Sequence, residues 1–406
     1  KNEKIICIRD RAGVKPFYYY WHDNLFLFSS ELKSFHQNPY FKKEIEHSSV
    51  ELYLQYSYVP QPYTIFQNTY KLKSGYYLEF DLRKKSFSEF KYWYISELYL
   101  QEEIKSSYQE SKKTLKELLI SSIDYRLKAD VEVGVFLSGG YDSTAVASIA
   151  QKSLNKKIKT FTIGFHDKKF NEASYAKEIA QIIGSEHHEL YATSEDFVDV
   201  ISKLPFYYDE PFGDSSAIPT TLVSKLAREH VKVSLSADGG DELFSGYSRY
   251  HDSLNSFNKI QNIPLYIRNT ISMVSSKVDL PASKVFDKIY NFDTRYYKLA
   301  SLKDINTVSD MYKVSMTHFT AKQIDMLLLD KGSENKNTFF DEDIEMNSNL
   351  QTIMSIDFKT YLTDEIMAKV DRASMSKSLE SREPLLDYRL IEFVTRLPDS
   401  YKYYDG

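Results

Sequence analysis

The six residues Ser138-Gly139-Gly140-Tyr141-Asp142-Ser143 follow an apolar run from Val131 to Leu137 and open a helix-compatible segment that continues from Thr144. Two adjacent glycines let the backbone turn sharply and approach a ligand closely. A helix started by Asp142 or Ser143 directs free N–H groups and the positive end of its dipole at an anion. Asp142 would repel a phosphate unless a divalent cation lay between them. The chemistry these residues suit is therefore pyrophosphate plus magnesium, held at the end of a parallel strand. A second turn of the same kind, Ser236-Ala237-Asp238-Gly239-Gly240-Asp241-Glu242, follows the apolar run 231–235. In one parallel sheet both turns open on the same edge, so Asp142 and Asp241 can converge on one cation that bridges to phosphate oxygens.

No glycine-framed loop ending in Lys-Ser or Lys-Thr occurs, and no Gly-x-Gly-x-x-Gly follows any strand candidate, so a kinase-type phosphate loop and a dinucleotide fingerprint are excluded. The first turn instead resembles the pyrophosphate loop of ATP pyrophosphatases, which cleave ATP to AMP and pyrophosphate while adenylating a carbonyl oxygen.

These turns need a sheet to carry them. Strand candidates at 131–137, 158–165, 188–191 and 231–235 alternate with helical stretches at 172–183, 194–204 and 218–229. That alternation predicts a parallel sheet covered by helices, with ligands beyond the C-terminal strand ends. From 241 to 400 no strand run stands out, which predicts a helical lobe, and the polar, Asn-rich stretch 331–345 reads as a solvated loop. Residues 1–95 read differently, as short antiparallel strands at 4–8, 17–21, 25–28, 76–80 and 87–93 separated by turn signals. A charged segment at 102–113 leads into the first helix.

At 406 residues the chain has room for two or three full-sized cores. Its 52 basic and 57 acidic side chains give a net charge of -5, which argues against a nucleic-acid partner. No stretch approaches the roughly 18 apolar residues of a membrane span. A single cysteine, Cys7, forms no internal disulfide and fits a reducing cytoplasm; in mid-strand it reads as a packed thiol. His187 and His188 are neighbours on a strand candidate and point to opposite faces, which argues against one shared metal ion.

A third cluster spans Asp357 to Asp387. It contains Asp364-Glu365-Ile366, Lys369-Val370-Asp371-Arg372 and Leu379-Glu380-Ser381-Arg382-Glu383-Pro384. With Thr162-Ile163-Gly164-Phe165, His187-His188-Glu189-Leu190, Tyr208-Asp209-Glu210-Pro211-Phe212-Gly213-Asp214 and the two glycine turns, residues 131–398 resemble the synthetase domain of glutamine-dependent asparagine synthetases. Arg9-Asp10-Arg11-Ala12-Gly13-Val14-Lys15-Pro16 and Phe28-Ser29-Ser30-Glu31-Leu32-Lys33 resemble the back half of the same family's glutaminase domain.

The resemblance implies an Ntn-type, antiparallel partial glutaminase domain over 1–95 without its nucleophile. Over 110–406 it implies an α/β, parallel-sheet ATP-pyrophosphatase domain with a helical C-terminal lobe. Leu137, Ser138, Gly139, Gly140, Asp142, Ser143, Ile163, Gly164, Gly239 and Gly240 would bind ATP and pyrophosphate, and Asp142 and Asp241 would hold Mg²⁺. Glu380 matches the family's candidate general base, with Asp238 assisting. The implied activity is ATP-dependent amidation of a carboxylate, foremost the aspartate side chain, by ammonia or glutamine, with release of AMP and pyrophosphate. The implied setting is asparagine biosynthesis in the cytoplasm, with a homodimer left open and neither nucleic acid nor membrane as partner. Family relatives act on sugar carboxylates or close peptide and lactam rings, and Ala237, Ser245 and Glu383 depart from the usual pattern in ways that leave room for such an acceptor. This chain alone is expected to use ammonia, and a family lysine that stabilises charge on the adenylate falls beyond Gly406.

Overall fold

The computed structural model describes residues 3–167, 171–278, 292–330, 332, 336–342 and 346–404. Eleven strands lie among them: β1 Lys4–Ile8, β2 Tyr18–His22, β3 Leu25–Ser29, β4 Thr69–Lys71, β5 Tyr76–Asp81, β6 Ser86–Lys91, β7 Val133–Phe136, β8 Lys159–Phe165, β9 Glu186–Ala192, β10 Val233–Leu235 and β11 Glu380–Arg382. The first six form two antiparallel three-stranded sheets in the orders β1-β5-β6 and β3-β2-β4. Alternation in β1 buries Cys7 while Ile6 and Ile8 face out, and the thiol packs with Tyr19, Leu72, Leu78 and Phe80. Helix α1, His47–Tyr56, and strand β4 were not legible in the sequence, the one for want of a strong apolar period and the other for its three-residue length.

The last five strands make one sheet in the order β11-β10-β7-β8-β9, and every pair in it is parallel. The chain runs β7, β8, β9 to one side and then returns to place β10 against the other side of β7. The strand order therefore reverses between β7 and β10, the kind of crevice where open α/β sheets bind ligands. The expected helical lobe does contain a strand, β11. Its sequence, Glu-Ser-Arg, has no apolar run to announce it, and only pairing with β10 makes it extended.

Helices cover both faces. Ile123 of α2 (Tyr108–Leu127), Val146 and Ala150 of α3 (Tyr141–Ser153) and Ala176 and Ala180 of α4 (Ala173–Ile183) pack with Val135 and Leu235 on one face. Ala227 of α5 (Ala217–His230) packs with Phe161 and Leu379 on the other. Ser107 and Glu110 form a reciprocal capping box that fixes where α2 begins. The helical lobe shares its core with the first hundred residues, since Tyr56, Tyr58 and Ile95 pack in one cluster with Ile353, Phe358 and Leu362. Part of the stretch read as a solvated loop is buried as well: Phe339–Asp341 form a 3-10 turn, with Phe340 stacked on Tyr56 at 4.5 Å. The rest of 331–345 lies largely outside the described residues. No described helix is long and apolar enough to cross a membrane.

Candidate active site at the strand ends

A cavity of about 680 Å³ opens at the C-terminal ends of β7, β8 and β10. The turn after β7 forms one wall. Gly139 has φ +93°, a conformation that glycine adopts without strain. Gly140 caps α3, which begins at Tyr141, two residues before Ser143 and without any side-chain cap. The expected capping by Asp142 or Ser143 does not occur, because both lie within the first turn. Ser143 instead ties the loop together: its Oγ accepts from the Ser138 N–H at 3.2 Å and lies 3.0 Å from Ser138 Oγ. Thr162 on β8 donates to the Leu137 carbonyl and pins the strand end beside it. The first N–H groups of α3 are left to an incoming ligand.

The turn after β10 forms the facing wall. Gly239 also has φ +93°. A Cβ added at Gly240 would collide with the Asp142 carboxylate, and one at Gly246 with that of Asp241, so both glycines make room for an acid. Burial raises the Asp142 carboxyl above its ordinary range, and Asp241 and Asp238 push it further. Burial likewise raises Asp241, where Arg249 opposes and Asp238 adds to the effect. Asp238 accepts from Ser236 Oγ. Three carboxylates that repel one another around one cavity suit a cation that would relieve the repulsion. Among the described residues no three metal-ligating side chains form a ready-made cage.

The cavity gathers Leu137, Ser138, Gly140, Asp142, Ser143, Ile163, Asp238, Gly240 and Asp241 from the expected set. Gly139, Gly164 and Gly239 serve the backbone instead. A Cβ at Gly164 would lie 2.8 Å from Tyr191 and 3.0 Å from Ala173, and one at Gly239 would collide with Leu386.

A family model described as asparagine synthase matches residues 114–406, and one described as a glutamine amidotransferase domain matches residues 1–93. The chain belongs to the asparagine synthase family. It is 36% identical over 392 residues to a protein of Methanocaldococcus jannaschii named putative asparagine synthetase (glutamine-hydrolyzing) 2, covering 92% of this chain and 70% of that one. It is 28% identical over 415 residues to asparagine synthetase (glutamine-hydrolyzing) 1 of Bacillus subtilis, covering 100% and 62%. A Gibberella zeae protein named amidase chry2 is 25% identical over 427 residues, covering 99% and 62%. The chain thus spans 62–70% of the length of these relatives.

In this asparagine synthase family member Glu380 is not brought to the cavity. It starts β11, pairs in register with Val233 at the opposite end of the sheet, is half-exposed and accepts from Arg382 Nε at 2.7 Å. Asp238, read as an assistant, is the acid that stands beside Asp142 and Asp241. The His187 and His188 rings follow the opposite-face reading: His187 Nδ1 contacts Thr160, while His188 stacks on His230 at 3.9 Å.

The cavity also holds residues to which the sequence assigned no role. Lys369 on the helix Met367–Met375 lines it, with Nζ 2.8 Å from Asp214 and 2.8 Å from Ser216 Oγ. Burial opposes the Asp214 charge, but Lys369 and Ser216 outweigh it and hold the carboxyl below its usual range. The signal was present, since Lys369 lies in one of the matched blocks, but a lysine between apolar residues on a helix reads as a solvated face until the cavity is seen. Immediately before that helix the chain forms π-helical turns over Phe358–Ile366, an irregularity common at functional sites.

Proposed function

We propose that the chain is an ATP-dependent amide ligase that adenylates a carboxylate, foremost the side chain of aspartate, and transfers ammonia to it. The observation that carries this reading is the meeting of Asp142, Asp238 and Asp241 on one cavity at the β7/β10 reversal, beside a helix start that has no side-chain cap. Ser138, Gly140 and Ser143 would cradle the phosphates with N–H and hydroxyl groups, and Leu137 and Ile163 would lie against the nucleoside. Asp142 and Asp241 would hold Mg²⁺, which when bound neutralises charge on the departing pyrophosphate. An acceptor carboxylate oxygen attacks the α-phosphorus, the bond to the bridging oxygen breaks, and pyrophosphate leaves. Ammonia then adds to the acyl carbon, a proton passes to a base, and AMP departs with the C–O bond pair. Asp238 would take that proton, and Lys369 would steady phosphate charge.

The family relatives' printed names support the choice of aspartate, and the amidotransferase-type first region supports glutamine or ammonia as nitrogen source. The lone cysteine is buried, which suits a cytoplasmic setting. The test is acceptor-dependent exchange of labelled pyrophosphate into ATP across a panel of carboxylates. Exchange with aspartate is expected; exchange with a uronic acid or a peptide carboxylate alone would move the acceptor to another class, and none at all would overturn the reading.

A further inference from the structure

The turn that carries Asp238 has a second acid layered against it. β11 ends at Arg382, whose carbonyl accepts from the Ser236 N–H at 2.9 Å, so Glu383 leaves the sheet beside that turn. The Glu383 carbonyl accepts from the Leu386 N–H at 3.2 Å, and the Leu386 side chain fills the space that a Cβ at Gly239 would need. Glu383 is 4% exposed, and its Oε1 accepts from Ser381 Oγ at 2.6 Å. One hydroxyl is little compensation for a carboxylate enclosed this far.

A cation reaches it from the other half of the molecule. Lys15 stands on a turn of the first region that Asp10 ties down, its carboxylate accepting from the Val14 and Lys15 N–H groups at 2.9 Å each. The same turn meets the π-helical segment, where Thr363 Oγ1 donates to the Ala12 carbonyl at 3.1 Å. Lys15 Nζ donates to the buried Asp371 at 2.8 Å, and Asp371 directly follows Val370, which lines the cavity. Burial opposes the Lys15 charge, but Asp371, Glu383 and Glu380 outweigh it and hold the ammonium above its usual range.

The groups facing Glu383 are thus Ser381 on its own strand, Asp238 after β10, Asp371 on the helix Met367–Met375 and Lys15 on the first region. Helix α2 also packs here, with Ser122 donating to the Pro384 carbonyl at 2.6 Å, but its Arg126 is taken up by Asp387 at 3.1 Å. Burial pushes the Glu383 carboxyl up to about 7; Ser381 and Lys15 oppose that, and Asp238 and Asp371 add to it.

We propose that Glu383 is a positioning residue for Asp238 in amide formation, and that Lys15 is the means by which the first region controls its charge. This rests on the reading above, in which Asp238 takes a proton as ammonia adds to the acyl carbon, and deepens it. An ionised Glu383 favours the arrival of that proton, because the two carboxylates repel until one is neutralised. A protonated Glu383 gives no such help. Adenylation sends no proton to Asp238 and is indifferent to the difference.

The experiment measures pyrophosphate–ATP exchange and amide formation across the pH range, with the carboxylate that supports exchange and with free ammonia held constant. In the unaltered protein the ratio of amide formation to exchange should rise about threefold or more as pH passes through about 7. Glu383→Gln keeps the shape and the Ser381 hydrogen bond, and it should flatten that rise. Lys15→Gln leaves Asp371 a donor, and it should move the rise upward by about 1 pH unit, the scale of removing one opposite charge. Lys15→Arg should restore the original profile. A rise that survives Glu383→Gln, or that stays in place in Lys15→Gln, overturns the proposal, as does a ratio that is flat in the unaltered protein. Equal falls in exchange and amide formation also overturn it, since they assign Glu383 to the fold or to the ATP site. Absence of exchange with every acid in the unaltered protein overturns the ligase reading and this proposal with it.

Discussion

The two glycine turns that face each other across the cavity share a backbone and differ in what surrounds it. Gly139 and Gly239 have the same φ of +93°, and each turn is followed by an aspartate. A Cβ at Gly140 would meet only Ser138 Oγ at 3.5 Å, which is ordinary contact, whereas one at Gly240 would collide with Asp142. The first turn is open toward the cavity and suited to receive a ligand. The second is closed by the first turn's own carboxylate, and its smallness serves to bring two acids together. Similar glycine patterns thus carry separate demands, one from a ligand and one from a neighbouring side chain.

The comparison breaks most sharply at Asp142, which belongs to one turn and is packed against the other. Asp142→Ala should lower pyrophosphate exchange by about 100-fold or more, the scale of removing a group that stabilises developing charge; a near-normal rate would remove Asp142 from the site. Next come the glycines themselves. Gly240→Ala should destabilise the fold by roughly 1–3 kcal/mol, as overpacking does, and lose exchange with it. Gly140→Ala should leave the melting temperature nearly unchanged and weaken ATP binding instead. Equal melting shifts in the two variants would erase the distinction drawn above.

A smaller effect comes from Glu242, which stands two residues after its glycine pair, as Asp142 does in the first turn. It is fully buried, accepts from Tyr247 Oη at 3.0 Å, and burial followed by Asp357 pushes its carboxyl up to about 8. Folding favours its protonated form, so its contribution is complete below the unfolded value of 4.5 and is lost as pH rises through about 8. Glu242→Gln should therefore match the parent near pH 5 in thermal melts and exceed it near pH 9 by about 2 °C or more. The smallest effect is expected at Glu380. Glu380→Gln should change exchange by no more than about twofold, the scale of an exposed substitution, whereas Asp238→Asn should abolish amide formation.

Much of the parallel sheet was legible because β7, β8 and β10 are rich in apolar and β-branched residues and its helices have a clear apolar face, as in Ala173–Ile183. Both glycine turns were legible because a glycine pair beside an acid is rare without a reason. Placing the acids was harder. Asp238 and Glu380 both sit in matched blocks, and sequence order does not say at which end of a strand an acid stands; the register of β11 on β10 does. The contact between Arg249 and Tyr361 was out of reach for a related reason. More than a hundred residues separate them, and only the packing of Tyr247 and Arg249 on the Tyr361 ring shows that they share a space.

The position of β11 has a consequence for synthesis on the ribosome. Its partner β10 ends at Leu235, and residues 236–379 must be made before Glu380 can pair with Val233. The Ser138 turn and β7 to β9 emerge early and are stitched by short connections, so they fold on local contacts. The far edge of the sheet and the Lys369 wall arrive together, late, through a single long loop closure. A nascent chain therefore holds the first glycine turn long before it holds the walls that face it. The cavity is complete only once the helix that carries Lys369 has been made, more than two hundred residues after the Ser138 turn.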